Sequence, residues 1–151
     1  MSEIPWETVV ESSGASFDSI RDIFVHSLQA EHLWIRRVNG KSTEGIYTSQ
    51  DAAFSKYTDV NSINEYADKV EAETNEYLEE FSDEKLQNLF EYKGRDGNTY
   101  RNQIEDILMH VIEEEIHHRG EILCLYWQHN LQAPYTSYTL FKTQTTIEEI
   151  E

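Results

Sequence analysis

The sequence predicts an all-α fold, a bundle built on three long helices, and three observations carry that prediction. Long stretches run without a helix breaker, because the 151 residues hold only two Pro and six Gly. Within those stretches apolar residues recur at three- and four-residue spacing rather than alternating. Polar segments rich in turn-forming residues separate the stretches from one another. The length fits a single domain over 1–151, long enough to bury a core without a disulfide or a metal.

The first long helix is predicted over residues 16–38, capped by Ser16, with Asp18 in its first turn and Asn39-Gly40 as its stop. Its stripe is Ile20, Ile23, Phe24, Ser27, Trp34, Ile35 and Val38. His26 lies on the edge of that stripe, and His32 points away from it, toward the surface. The second helix runs from about Ile63 to Phe81, with Ser62 and Glu65 in a capping-box pattern. Ser82 to Lys85 then reads as a cap and one short turn. Phe90–Lys93 and Asn98–Arg101 flank the turn cluster Gly94–Gly97, which predicts a small β-hairpin between the second and third long helices. The third helix spans about Asn102 to His129 and ends ahead of Pro134. Residues 135–151 show no clear period. Ile4 to Ser12 precede the first helix.

Charge and cysteine narrow the function. Twelve Lys and Arg against 29 Asp and Glu leave a net charge of −17. That balance argues against gripping nucleic acid or an anionic membrane and favours a neutral or cationic small-molecule substrate. Hydrophobic residues at 38% set the chain apart from a disordered acidic tail. Cys124, the single cysteine, has no intrachain disulfide partner, and its apolar neighbours Leu123 and Leu125 predict a buried thiol. The opening MSEIPWETVVESS lacks the basic residue and apolar run of a secretory signal, and no apolar run approaches the roughly 20 residues of a membrane span. The expected location is the cytoplasm.

The chemistry concentrates in HVIEEEIHHRGE, residues 110–121 of the third helix. Ile104, Ile107, Leu108, Val111, Ile122 and Leu125 set the core direction, and His118 falls inside that arc. Glu114 sits one turn before His118, so imidazole and carboxylate share a face and can converge on one cation. His110, His117 and Glu121 lie on the same flank. Glu115 also points near the core, which is costly unless it is paired or ligated. A further ligand must come from another helix, and His26 is the candidate. Two imidazoles and one carboxylate would leave open positions on a divalent ion, a pattern that suits catalysis.

These segments, FDSIRDIFVHSLQAEHLWIRR and LMHVIEEEIHHRGEILCLYWQ followed by Pro-Tyr-x-Ser-Tyr, resemble the DinB/YfiT-like superfamily over roughly residues 15–138. The resemblance implies a four-helix bundle, commonly a homodimer, holding a divalent metal, most often zinc or nickel; with Ile4 to Ser12 in place of the family's usual N-terminal helix, that helix is expected to be short or missing here. Its ligands would fall on His26, Glu114 and His118. Glu114 departs from the usual His at its position, with His110 and His117 as the nearby substitutes. Characterised members of that superfamily include metal-dependent thiol-transferases that use low-molecular-weight thiols. In that reading Glu115 or Glu121 would orient a ligand or accept a proton, Arg119 would make a salt bridge, Gly120 would permit close helix packing, and Trp34 and Tyr126 would line the pocket. The alternative is a non-catalytic acidic helical dimer with a stress-response or interaction role. A di-iron carboxylate site would need Glu-x-x-His on a second helix, and the first two helices lack it. A zinc protease is excluded by the absence of His-Glu-x-x-His.

Overall fold

Ten of the nineteen residues in the first long helix are buried, more than a single amphipathic face can supply. The computed structural model describes residues 4–46, 54–94 and 96–148. In chain order its elements are α1 (Trp6–Val9), α2 (Ile20–Val38), α3 (Val60–Glu79), α4 (Asp83–Leu86), β1 (Leu89–Lys93), β2 (Thr99–Gln103), α5 (Ile104–Gln128) and α6 (Tyr138–Glu148). The fold is mostly helical, as expected, with one two-stranded sheet. Helices α3 and α5 both pack chiefly on α2, which is therefore covered on two sides.

Two apolar clusters follow from that layout. Ile4, Val9, Ile20, Ile23, Leu125 and Tyr126 form the first, where α1 closes the end of the α2–α5 pair. Val25, Phe54, Tyr57 and Ile63 form the second, on the α3 side of α2. Ile20, Ile23, Val25 and Ile63 are almost fully buried, each contributing about 2 kcal/mol of apolar transfer. On α5, Ile104, Val111, His118 and Leu125 are buried at seven-residue intervals, so a histidine occupies one rung of an otherwise aliphatic ladder.

The hairpin is antiparallel, with Tyr92 opposite Tyr100 and Leu89 opposite Gln103. Its turn closes through Gly94 N–H to the Asn98 carbonyl, 2.8 Å, and needs the left-handed backbone of Gly97, φ +83°. Ile104 N–H donates to the Asn88 carbonyl at 3.0 Å, which ties the base of the hairpin to the start of α5.

Several local expectations are corrected. The first helix begins at Ile20, and its cap is Ser19, whose side chain accepts from Asp22 N–H at 3.2 Å. Ser16 lies outside the helix. The second helix starts earlier than Ile63, and its capping box pairs Asp59 with Ser62 rather than Ser62 with Glu65. His32 is buried, 3% exposed, because α3 covers the side of α2 that a one-faced reading leaves to solvent. Cys124 is exposed, since the apolar residues around it in sequence point in other directions around the helix. Gly120 meets nothing within 4 Å, so it is not a packing glycine. The C-terminal stretch forms α6, with Tyr138, Leu140 and Phe141 exposed.

The N-terminal helix is short, a single turn. Along α5 the side chains of Met109, Ile112, Ile116 and Trp127 stay more than half exposed in one stripe. No helix among the described residues is long and apolar enough to cross a membrane.

Candidate metal centre

His26 on α2 and Glu114 and His118 on α5 face each other across the α2–α5 contact. One ligand atom from each lies within 4.8 Å of the other two. His118 Nε2 is 3.4 Å from Glu114 Oε2, and His26 Nε2 is 3.9 Å from the same oxygen. Donors about 2.0–2.2 Å from a tetrahedral ion stand roughly 3.3 Å apart, so small side-chain rotations would bring all three onto one cation.

The orientation of the His118 ring follows from its other nitrogen. Nδ1 lies 2.7 Å from Glu121 Oε2. Burial pushes the Glu121 carboxyl up, but hydrogen bonds from Ser16 and His118 more than offset it and hold it below the usual range. An ionised carboxylate only accepts, so Nδ1 donates to Glu121 and Nε2 is turned toward Glu114 and His26. Ser16 Oγ donates to the same Glu121 oxygen at 2.8 Å, fixing the carboxylate that fixes the ring. This carboxylate–histidine pairing is the arrangement that orients metal-binding imidazoles. Phe17 packs on the His26 ring at 4.2 Å between centroids and reaches the His118 ring at 5.9 Å, an apolar cover over both. The donor set thus fits a divalent ion of the zinc type.

The remaining sequence-stated candidates divide into three groups. His110 sits 4.0 Å from Glu114 Oε1, and with Trp34 it lines a cavity of about 290 Å³ whose wall includes His26 and Glu114. Arg37 and Tyr92 also line that cavity. His117 is exposed and lies 3.9 Å from Glu121, making with His118 and Glu121 a second triad that shares His118 with the first. Glu115 lies apart from both: its Oε1 accepts from Ser27 Oγ at 2.5 Å, and burial pushes its carboxyl up against that bond. With Tyr126 and Arg119 it lines a different groove, of about 400 Å³. Among the described residues Arg119 forms no salt bridge.

The roles of Ser16 and Phe17 escaped the sequence reading, which gives Ser16 only as a helix cap and Phe17 only as the start of a longer segment. Both act through a loop that the fold brings over α5.

The DinB family profile matches residues 1–150. The chain belongs to the DinB family. It is similar to the uncharacterized protein YizA of Bacillus subtilis, 23% identical over 120 residues, which spans 80% of this chain and 70% of that one. Its fold is similar to the crystal structure of a DinB-like protein from Bacillus cereus, with a TM-score of 0.65 and 18% identity, covering 90% of this chain and 85% of the other. At that identity the likeness to the Bacillus cereus protein shows the fold alone.

Proposed function

We propose that this DinB protein is a divalent-metal-dependent enzyme of the thiol-transferase type, acting on a small molecule. His26, Glu114 and His118 would hold the ion, zinc or nickel. The observation that carries the reading is their convergence beside a cavity, with Glu121 holding the His118 ring from its Nδ1 side. When bound, such an ion supplies Lewis acidity that lowers the pKa of a thiol presented to it. The chain's own contribution is orientation and exclusion of water: Glu121 and Ser16 aim His118, Phe17 covers the imidazoles, and Trp34 shapes the cavity wall. His110 stands 4.0 Å from Glu114 at the cavity edge, where its ring can hydrogen-bond a ligand.

Elemental analysis of the purified chain beside His26→Ala and His118→Ala tests the reading. Near-stoichiometric zinc or nickel in the wild type, lost from both variants, is the expected result. A chain that carries no metal and refuses added zinc and nickel would sink it.

The exposed α5 stripe of Met109, Ile112, Ile116 and Trp127 favours a second reading alongside the first: self-association, with a second copy covering the stripe. A homodimer without catalytic activity would satisfy that observation equally well. Sedimentation of the wild type against Ile112→Glu separates the cases, because only a dimer seated on this stripe is dissociated by the charge.

A further inference from the structure

We propose that Asp106 and His110 form a loading track for the divalent ion, an acidic entrance and a relay that hand a cation on to Glu114 without being ligands of the finished site. The proposal deepens the function proposed above and rests on its ligand set. Asp106, His110, Glu114 and His118 follow one another on α5 at intervals of four residues, alternating carboxylate and imidazole. Four residues advance a helix by about 6 Å and carry it about 40° past a full turn, so each side chain neighbours the next. Exposure falls along that line. Asp106 is exposed, and the side chains of His110, Glu114 and His118 are 43%, 31% and 6% exposed. A cation moving inward therefore exchanges water for protein donors one at a time, which spares it the cost of losing its whole hydration shell in a single step.

Glu114 is the branch point. Its Oε1 faces His110 Nε2 at 4.0 Å, while its Oε2 faces His118 Nε2 at 3.4 Å and His26 Nε2 at 3.9 Å. One carboxylate thus joins the outer imidazole to the inner pair. Two cavities meet at His110, and they differ in charge. The cavity of about 290 Å³ that reaches His26 and Glu114 also has Arg37 and Lys93 in its wall. The other, about 190 Å³, is lined by Trp34, Tyr92, Asn102, Asp106, Ile107 and His110, a set with one carboxylate and no Lys or Arg. Trp34, Tyr92 and His110 belong to both walls. The acidic side is the favoured approach for a cation, and His110 is the one metal-binding side chain that both cavities share. Its ring is set edge-to-face against Trp34, with centroids 5.7 Å apart and planes at 88°.

The test is the rate of cobalt(II) uptake by the full-length, chelator-treated chain, followed by stopped-flow absorbance of the ligated ion. Zinc affinity is measured on the same samples by competition with a chromogenic chelator. His110→Ala is expected to slow uptake about tenfold and Asp106→Asn about threefold, through loss of a capture group and of one steering charge. Zinc affinity should stay within about twofold of wild type, because a relay acts on entry and release alike. Glu113→Gln, the same change of net charge at another exposed position of α5, should leave both quantities unchanged. Wild-type uptake rates in both track variants overturn the proposal. A fall in zinc affinity of about tenfold or more in His110→Ala also overturns it, since that makes His110 a ligand. Circular dichroism checks the fold of His110→Ala, and the exposed substitution Asp106→Asn decides if that variant unfolds. A wild-type chain that binds neither ion defeats the ligand set and the track together. Binding with unaltered rates in the variants defeats the track alone.

Discussion

Helix α2 meets a buried histidine on each of its two sides, and the two networks are completed differently. On the α3 side, His32 is 3% exposed, with Nδ1 3.0 Å from the Tyr66 hydroxyl and Nε2 3.4 Å from Glu73. Glu73 is itself bound bidentately by Arg36, at 3.0 and 2.8 Å. Burial pushes the Glu73 carboxyl up, but the Arg36 hydrogen bonds and the neighbouring His32 outweigh it and hold the group below its ordinary range. On the α5 side, His118 is 5% exposed and also has one nitrogen tied to a carboxylate. There Glu114 faces His26 and His118, and Glu121 is bound by His118 and Ser16. One network is closed by the Arg36 guanidinium and is a structural clasp. The other turns two imidazoles and a carboxylate toward one point, the donor set that a divalent ion takes.

That contrast can be broken most sharply with His118→Ala, which removes one of three proposed ligands and is expected to lower zinc affinity by more than about a hundredfold, measured by competition with a chromogenic chelator. His32→Ala should leave zinc affinity unchanged while lowering the melting temperature. A loss of zinc in the His32 variant would mean that the two sides are not independent. Next in size is Glu121→Gln, expected to weaken zinc about 10–100-fold by freeing the His118 ring while leaving the site fillable at high zinc. Smaller again is Arg36→Ala, which strips the cation from the α2–α3 clasp. Urea unfolding should show a loss of about 1–2 kcal/mol with zinc binding intact.

The smallest effect is one of pH. Burial lowers the His32 pKa from 6.5, with Glu73 opposing. The unfolded chain therefore takes up a proton at this residue near pH 6.5 while the folded chain resists. Stability from His32 is full above that pH and falls as acid is added, until the folded pKa is passed. The metal-free chain should melt at progressively lower temperature below about pH 6.5, and His32→Gln should flatten that part of the curve.

The helices were legible because their periods are long and uninterrupted, and the turn cluster at 94–97 marked the hairpin for the same kind of local reason. His26, Glu114 and His118 could be singled out together because a four-residue spacing on one helix and an edge histidine on another are both visible in sequence. What stayed hidden needed the third dimension. His32 looked exposed because period alone gives one buried face per helix, and α2 has two. Ser16 looked like a cap because Ser16 and Ser19 both precede the stripe, and only the loop path shows which one turns to Glu121. Gly120 and Cys124 were misjudged because neighbours in sequence are not neighbours around a helix. Glu115 and Glu121 could not be told apart, and the fold puts one on Ser27 and the other on His118.

Under the proposed ligation, the histidine rung on α5 would give a metal a hold on folding itself. A bundle whose seam reads Ile104, Val111, His118, Leu125 gives up aliphatic contact at one level, so the chain without an ion is a looser structure than its ladder would otherwise make. An ion bound only by the folded form returns that stability through mass action, about 4 kcal/mol at a thousand times its dissociation constant. Under the proposed ligation, the fraction of this protein that survives unfolding and proteolysis becomes a gauge of how much metal its surroundings supply.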